Sequence, residues 1–513
     1  MNSKRVVNII NFIRGEDPRP GQQMLFDTFV KEVELCKSYP MPYTFLMQYD
    51  ALARPEYVKV LKDNTDSNME IGVWIEMAQE QVEKLGIKWC GRPGYKWDWY
   101  VNPDMLLAYT IPQRKALIDE LMEKFFSSFG YYPHSAGSWI LDSYSVNYMA
   151  EKYGVDAFCI CKEQLGTDGY TLWGGYYNQG YYPCKNNAFI PAQTNEQQIN
   201  APIFRMLGSD PIYQYDADLD EHYNNVDLQQ VYTLEPAAPL GQNPDWVDWY
   251  LHTNFETEDM GFSYIQAGQE NSFTWQEFGD GFKMQMEKIY NGVKQGKWEV
   301  LSLGDTGRWF KDTYKTTPAT AVTALSDWKN EGKQSVWYNC KNYRVNFYRK
   351  DNKVGIRDMF LFSEKYSERY KEERAKQNSA VFDALPVIDG YCWSGNDIHS
   401  VLYFAKENAE IINVQSDREK SLLKLEVKEN DNIINISCDE EKIEIISQIK
   451  LPQMTLQYYS TKNTAIENIT DSEIFYLHNG ISYGIRLSGA RFEKIKNGFS
   501  IVPTDKKIFI YVK

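Results

Sequence analysis

The sequence predicts an α/β protein, a (β/α)7-type barrel followed by an all-β C-terminal region for which we expect a β-sandwich. Strand and helix patterns alternate through residues 1–325 of the 513-residue chain, and acidic residues follow several of the strand patterns. Beyond residue 325 the pattern changes to period-two alternation with turn residues. We therefore expect a barrel over residues 1–325, a linking β-rich segment over 326–400 and a sandwich-like domain over 401–513.

The first half of the barrel is predicted by four strand–helix units. The apolar run from Val6 to Ile13 predicts the first strand, and apolar residues recur at helical spacing between Gln22 and Cys36. An amphipathic segment predicts a long helix over 112–126, ending at Gly130. Four units in a row indicate a parallel sheet with outer helices. The other predicted elements are strands 44–48, 71–75 and 157–161, a strand ending at Asp142, and helices 55–61 and 143–153.

A long excursion from Lys162 to Pro202 interrupts this alternation, and loops of such length are usually functional. The alternation then resumes, which gives seven or eight units and so predicts a closed or nearly closed barrel. Beyond it we expect short strands, interrupted by a charged helical segment from Glu364 to Lys376. The later predicted elements of the barrel are strands 231–234, 262–267 and 298–303 and helices 246–255 and 278–293.

The chain is acidic, with 55 Lys and Arg against 70 Asp and Glu and a formal net charge of -15. This balance, without a basic cluster, argues against nucleic acid or an anionic membrane surface as a partner. The N-terminus indicates a first strand and no signal peptide, so we expect a soluble, cytoplasmic chain. The eight cysteines form no C-x-x-C pair, which is typical of reduced thiols. Oligomeric state is not predicted.

Carboxylates stand at the ends of the predicted strands. In a parallel barrel, side chains at the C-terminal strand ends converge on one face. That is a suitable setting for two carboxyl groups that act as acid and nucleophile. Each could instead be a helix N-cap, and Asp142 before Ser143 is such a candidate. The residues concerned are Asp50, Glu76, Asp142, Glu235, Glu270 and Asp305.

The sequence offers few ligands for a transition metal. There are five histidines and none forms a closely spaced pair, so a His-rich zinc site is not expected, although an all-oxygen site stays open. Nucleophile-elbow, phosphate-loop and dinucleotide motifs are absent from suitable settings. We predict neither a bound metal nor a cofactor.

Several short motifs resemble glycoside hydrolase family 57. Trp139-Ile-Leu-Asp142 is similar to that family's Trp-Leu-x-Glu element, whose acid is the nucleophile of a retaining mechanism, with Asp here in place of Glu. Gly72-Val-Trp-Ile-Glu76 resembles its Gly-Gln-x-Glu region, and the stretch Phe204 to Ile212 resembles the one before its later strands. Gly268-Gln-Glu-Asn-Ser-Phe-Thr-Trp275 is similar to its Asp-Gly-Glu-x-Phe-Gly-x-Trp. Gly268 stands where that family has its acid/base Asp, so the resemblance transfers this role to Glu270.

More broadly, the first 325 residues resemble the glycoside hydrolase and deacetylase superfamily, whose fold is a seven-stranded (β/α) barrel. The motifs Asn11-Phe-Ile-Arg14-Gly, Tyr49-Asp50, Gly169 to Gly175 and Gly268-Gln-Glu-Asn-Ser also resemble a group of bacterial proteins of gut anaerobes known as domains of unknown function. The polysaccharide deacetylase branch implies an Asp-His-His metal triad, and the histidines for it are missing here.

The leading hypothesis is a carbohydrate-active hydrolase that cleaves a glycosidic bond, with Asp142 as nucleophile and Glu270 as acid/base and with Glu235 and Glu76 as alternates. Its partner would be an oligosaccharide or polysaccharide. One alternative is a metal-assisted deacetylase or amide hydrolase that uses Asp50 with other carboxylates, and another is a non-catalytic saccharide-binding protein. Aromatic rings can stack on sugars, although each could equally pack in the core. The predicted substrate-binding residues are Arg14, Glu16, Asp50, Trp74, Trp97, Trp99, Trp139, Trp173, Tyr176, Tyr177 and Trp275.

Overall fold

A computed structural model describes residues 3–164, 166, 168–215, 232–382, 384–390, 401–457, 464–496 and 498–512. The first part is a mixed α/β unit. Its helices are α1 (Gln22–Lys37), α2 (Tyr49–Leu52), α3 (Pro55–Asn64), α4 (Gln79–Lys84), α5 (Val101–Asp104), α6 (Ile111–Phe129), α7 (Ser143–Tyr153), α8 (Pro244–Phe255), α9 (Trp275–Lys294) and α10 (Leu303–Thr313). Within the described ranges, none of the helices combines the length and apolar character that a membrane crossing requires.

The strands of this part form a nearly closed, barrel-like sheet. They are β1 (Lys4–Ile13), β2 (Tyr43–Met47), β3 (Met69–Trp74), β4 (Ser135–Gly137), β5 (Ala157–Cys161), β6 (Tyr170–Thr171), β7 (Gly180–Tyr181), β8 (Pro183–Cys184), β9 (Asn187–Pro191), β10 (Ile203–Met206), β11 (Phe262–Ala267) and β12 (Glu299–Leu301).

The sheet order is β11-β1-β2-β3-β4-β5-β10-β7, with β12 beside β1, and all its neighbours are parallel except the antiparallel pair β10 and β7. Two side chains link β11 to the chain next to β10 and β7 at the other end of the sheet. Gln266 Oε1 accepts from Leu207 N at 3.0 Å, and Gln179 Oε1 accepts from Tyr264 N at 3.0 Å. The prediction of an α/β part with a barrel-like sheet is confirmed at this level.

Three sheets of antiparallel strands dominate the rest of the chain. The middle sheet has the order β13-β14-β15-β16-β18 with β19 on β16, and β17 instead pairs with β6 of the first part. Its strands are β13 (Thr320–Ala324), β14 (Gln334–Asn339), β15 (Tyr343–Lys350), β16 (Lys353–Leu361), β17 (Ala380–Val381), β18 (Leu385–Asp389) and β19 (Leu402–Ala405).

The C-terminal strands form a sheet of order β20-β21-β22-β23-β30-β27-β26-β25 and a smaller one, β24-β29-β28, and these share a hydrophobic core with the middle sheet. This confirms a β-rich C-terminal part, whereas the β-sandwich and the domain boundaries stay predictions. The strands are β20 (Ala409–Asp417), β21 (Leu422–Glu429), β22 (Asn432–Cys438), β23 (Lys442–Ser447), β24 (Met454–Gln457), β25 (Thr464–Ile469), β26 (Glu473–His478), β27 (Ile481–Ser488), β28 (Ala490–Ile495), β29 (Gly498–Pro503) and β30 (Lys507–Val512).

Four element predictions are corrected. The strand expected to end at Asp142 ends at Gly137, because the chain turns there to make Asp142 the N-cap of α7. The segment 364–376 has only a single 3-10 turn at Arg369–Lys371 instead of a helix. No strand is assigned at the described residues 232–234, where Thr233 forms one isolated bridge with Ser209, and residue 231 lies outside the described residues. The strand predicted over 298–303 is shortened to β12, which runs beside the first half of β1, so Asp305 lies away from the edge where β1 ends.

Gly268 directly follows β11 and permits the close approach of this turn to β1. Its φ is +115°, and a Cβ there would lie 1.9 Å from the carbonyl oxygen of Ile10. The backbone therefore requires glycine at the position where family 57 has an acid.

We expect Gly268→Ala to lower the free energy of unfolding by about 3 kcal/mol, because it adds both a left-handed backbone penalty and a clash with Ile10. Gly296→Ala is the matched control, since φ is +68° there but nothing lies within 4 Å of the added Cβ. That variant is expected to lose about 1 kcal/mol. Urea denaturation of both variants measures the difference, and equal losses would contradict the steric account.

Candidate functional site

Three charged side chains meet at the C-terminal edge of the barrel-like sheet. Arg14 is the first residue after β1, Glu76 the second after β3 and Glu270 the third after β11. All three are buried. Since β1 lies beside β11 and two strands from β3, the sheet itself brings these residues together.

The guanidinium of Arg14 joins the two carboxylates. Its Nε donates to Glu76 Oε2 at 2.8 Å and its Nη2 to Glu76 Oε1 at 3.0 Å. Its Nη1 donates to Ser272 Oγ at 2.8 Å and forms an ion pair with Glu270. Two carboxylates that share one planar guanidinium are held a few ångströms apart, with their orientations fixed.

Aromatic rings pack around Arg14 and its partner Glu76. Trp74 Nε1 donates to Glu76 Oε2 at 2.7 Å. The Trp74 ring stacks on Phe12 at 4.2 Å, and half-buried Trp139 meets it edge-on at 5.2 Å. Trp97, with only 1% of its surface exposed, lies 4.2 Å from the guanidinium carbon of Arg14. The described contacts of Trp74 and Trp97 thus orient charged groups.

Glu270 is set apart from Glu76 by its electrostatics. Burial raises the pKa of Glu270 from 4.5 to about 7, and the positive charges of Arg14 and Arg19 act against this rise. Glu270 therefore exchanges its proton near neutral pH. Glu76 instead receives three hydrogen bonds, two from Arg14 and one from the indole of Trp74.

Asp104 at the end of α5 is a third carboxyl group of this cluster. Burial raises its pKa well above the ordinary range, and the negative charge of Glu76 adds to the effect. Neither carboxyl oxygen of Asp104 has a hydrogen-bond partner within the described residues. The sequence pattern does not predict a role for this residue, because Asp104 follows an irregular segment and no strand pattern marks it.

Asp50 and Glu16 hold the chain segment that carries Arg14. Asp50 Oδ1 accepts from Gly15 N at 3.1 Å and from Ala51 N at 2.7 Å. Burial raises the pKa of Asp50 from 3.8 to about 7. Glu16 forms ion pairs with Arg54 and, at 3.4 Å, with Lys96.

Glu235, another of the predicted carboxylates, forms an ion pair with Lys162. The Lys162 Nζ is 2.9 Å from Glu235 Oε1 and is buried directly after β5. Desolvation raises the pKa of Asp168, and the charges of Arg14 and Arg19 act against this rise. Lys162 and Asp168 were not predicted, since the long excursion gave no pattern from which to place them.

Asp142 lies in a different environment. It is fully buried, accepts from Ser145 N at 3.0 Å as the N-cap of α7, and pairs with Arg114 at 3.1 Å. Its negative charge, after burial, helps raise the pKa of Glu368 to about 8. Glu368 in turn accepts from Ser143 N at 2.8 Å. The described contacts of Asp142 thus join α6, α7 and the segment around Glu368, and its predicted role as nucleophile stays a prediction.

The five remaining predicted aromatic residues lie in different parts of the fold. Trp99 is half-buried near Trp97, at 6.1 Å between ring centroids, and Trp275 begins α9. The other three lie against the middle sheet and are buried: Tyr177 stacks on Trp337 at 3.8 Å, Tyr176 donates to Pro318 O at 2.9 Å, and Trp173 packs with Tyr215 at 4.8 Å.

The described residues do not fit a metal centre. They contain no group of three or more His, Cys, Asp or Glu side chains placed to hold an ion. His134 lies at the other end of the barrel beside Asp156, and His478 lies in the C-terminal sheet. His222 and His399 lie outside the described residues.

We expect Asp142→Asn to lower the free energy of unfolding by about 3 kcal/mol, because it removes the carboxylate partner of the buried Arg114 and leaves only backbone carbonyls as acceptors for its charge. Asp63→Asn removes an exposed i,i+4 pair with Lys59 and should cost under about 1 kcal/mol. Thermal and urea denaturation compare the two variants. A loss no larger at residue 142 than at residue 63 would contradict the structural role of Asp142.

The raised pKa of Glu270 predicts a pH-dependent stability. Its contribution is complete below about pH 4.5 and is lost as the pH rises through about 7, because the folded state binds this proton more tightly than the unfolded state. From pH 5 to 8, wild type should therefore lose on the order of 1–3 kcal/mol relative to Glu270→Gln. The exposed Glu34→Gln should show a profile parallel to wild type. Parallel profiles for wild type and Glu270→Gln would refute the proposed titration.

No family model and no curated protein matches this sequence. Among solved structures, the chain is similar to a candidate glycoside hydrolase/deacetylase from Parabacteroides distasonis, at 16% identity and a TM-score of 0.51, over 74% of this chain and 90% of that one. More distant likenesses are a candidate polysaccharide deacetylase from Pseudomonas aeruginosa (10% identity, 61% and 92% covered, TM-score 0.36) and a glycoside hydrolase family 57 branching enzyme from Thermococcus kodakaraensis (11%, 61% and 72%, TM-score 0.31). At these identities, the first likeness shows a shared fold.

Proposed function

We propose that the chain is a carbohydrate-active hydrolase that cleaves a glycosidic bond at the C-terminal edge of a (β/α)7-type barrel, with Glu270 as the proton donor and Glu76 as the second carboxylate. The observation that carries the proposal is the shared guanidinium of Arg14. It holds Glu270, whose pKa burial raises, beside Glu76 at the strand ends, and general acid catalysis with a carboxylate partner requires two carboxyl groups placed in this way.

Glu270 supplies the acid. Its pKa of about 7, raised by burial, keeps a large fraction protonated at neutral pH. It would transfer this proton to the glycosidic oxygen as the bond from that oxygen to the anomeric carbon breaks. If Glu76 attacks the anomeric carbon, the water that later releases the sugar returns a proton to Glu270. If Glu76 instead deprotonates the attacking water, Glu76 releases that proton to solvent and Glu270 regains one from it, so the protein is unchanged at the end of either cycle.

Glu76 supplies the second carboxylate, on the side of the anomeric carbon away from Glu270. Arg14 and Trp74 fix the orientation of its carboxylate. It would either attack the anomeric carbon or accept a proton from the water that attacks it. Separations of roughly 5 Å favour the first route and roughly 6.5–9.5 Å the second. Both are compatible with carboxylates placed around one guanidinium.

Non-catalytic saccharide binding remains the second candidate, and a specific observation favours it. Arg14 uses Nε, Nη1 and Nη2 on Glu76, Ser272 and Glu270, so its guanidinium occupies space between the two carboxylates. A binding protein would keep these contacts on loading with sugar, whereas a hydrolase must free Glu270 to reach the glycosidic oxygen. The deacetylase alternative has no comparable support in the described residues, because they do not fit a metal.

A panel of aryl glycosides and oligosaccharides tests the proposal. We expect Glu270→Gln and Glu76→Gln each to lower kcat roughly 100- to 10,000-fold, since each removes a group that acts in the transition state. Glu34→Gln makes the same change on the exposed face of α1 and should leave kcat unchanged. Above about pH 7, kcat should fall as Glu270 loses its proton.

The outcome that contradicts this function is hydrolysis that persists in both active-site variants, or that disappears in folded Asp142→Asn alone. Release of acetate from acetylated sugars, lost on chelation and restored by a divalent ion, would instead support the deacetylase. Sugar binding without release of any product would support the non-catalytic alternative.

A further inference from the structure

Arg19 is a charged residue near Arg14, and the proposed chemistry assigns it no role. Its side chain is 47% exposed, in contrast to the 2% exposure of Arg14. The two arginines lie on the same buried ring system, because the guanidinium carbon of Arg19 is 5.6 Å from the centre of Trp97. Burial raises the pKa of Glu270 and the charge of Arg19 opposes that rise, which places Arg19 within electrostatic reach of the proton donor.

The guanidinium of Arg19 is held in place by its neighbours. The buried Asp17 accepts from Arg19 Nε at 3.0 Å, from Nη2 at 2.5 Å and from the backbone N at 2.8 Å. On the other side, Trp99 lies 5.0 Å from the guanidinium carbon. Trp99 is itself held by Arg92 at 4.0 Å. Arginines and tryptophans thus alternate from the buried site outward, and Arg19 is fixed before any ligand arrives.

One edge of this fixed guanidinium remains available. Arg19 Nη1 makes no hydrogen bond within the described part of the chain, although Nε and Nη2 are both used by Asp17. A guanidinium keeps its charge at all working pH values and offers planar N–H donors, so it prefers oxyanions, of which a carboxylate is the one that saccharides carry as part of the sugar itself. A neutral sugar hydroxyl would cover the same charge with a weaker, uncharged acceptor.

We propose that Arg19 binds the carboxylate of an acidic sugar residue, so that the substrate class of this site is a uronic-acid-containing saccharide. This inference rests on the proposed function for its location, but it is a statement about binding and does not depend on hydrolysis. The acidic ligand would meet the exposed edge of Arg19 while its sugar ring faces Trp99, leaving Glu76 and Glu270 at the adjoining bond.

The test measures binding of matched sugars by calorimetry to the folded Glu270→Gln chain, in which turnover is suppressed. The probes are the methyl glycosides of glucuronic and galacturonic acid, each compared with the methyl glycoside of glucose or galactose, which differs only at C6. We expect at least one acidic sugar to bind about 10-fold or more tightly than its neutral counterpart, as one charge-assisted bidentate contact can provide.

Arg19→Gln, introduced into the same chain, should abolish this preference, and Arg19→Lys should keep only part of it because it retains the charge and loses the planar fork. Arg308→Gln is the control, because Arg308 is a similarly half-exposed arginine in ion pairs with Asp156 and Asp305. It should leave the preference intact.

A neutral sugar bound as tightly as its acidic counterpart, no binding of either acid, or a preference that survives Arg19→Gln would overturn the inference. The two proposals fail separately. Acidic sugars that bind through Arg19 but are never cleaved would contradict only the hydrolase, and cleavage of neutral glycosides with no effect of Arg19 would contradict only the acidic substrate.

Discussion

The site depends on one buried positive charge that is shared by several carboxyl groups. Arg14 is enclosed with Glu76, Glu270 and Asp104 at the edge of the barrel-like sheet. Three ionised carboxylates against one guanidinium would leave a net charge of about -2 in a low-dielectric region, which is costly. Burial, together with repulsion from neighbouring carboxylates, therefore raises the pKa of Glu270 and of Asp104. Arg14 is thus paired with Glu76 and Glu270, and the pKa values of Glu270 and Asp104 are raised beside it.

The surrounding fold keeps this arrangement in place. Trp74 and Phe12 fill the barrel beneath it, and Trp97 covers the guanidinium from the side. Gly268 lets the turn that carries Glu270 approach β1 more closely than any other residue could. A hydrolase needs such a preorganised environment, because side chains that must rearrange during the reaction stabilise its transition state less well.

Much of the first part of the fold could be predicted, because strands and helices of a parallel α/β unit have distinct hydrophobic periods. We expected functional side chains directly after the C-terminal ends of strands, and Glu76 and Glu270 do lie there. Arg14 likewise lies directly after β1, as expected. This expectation was misleading at Asp142, since an apolar stretch after β4 was read as strand when it is an extended connection to an N-cap. Nothing local distinguishes these two cases, because both place an acid between apolar residues and a helix.

Other parts of the site could not be predicted, for a different physical reason. Asp104 ends the short helix α5, Lys162 directly follows β5, and Asp168 lies in the excursion after it. No periodic pattern marks these positions, because tertiary contacts set the path of the chain there. The same holds for Tyr177, which is buried against Trp337 of the middle sheet, a partner 160 residues later in the chain. Sequence patterns identify residue types suited to sugar binding, but only the three-dimensional packing determines which of them face a site.

A crystal structure of the Glu270→Gln chain with the oligosaccharide that the wild-type chain cleaves would test the proposed roles of Glu270 and Glu76. We expect the glycosidic oxygen to lie within hydrogen-bond distance of the residue 270 side chain, with the anomeric carbon facing Glu76. A sugar bound at Asp142 or on the C-terminal sheets, with the cluster around Arg14 empty, would contradict these roles. So would a wild-type chain that cleaves no saccharide.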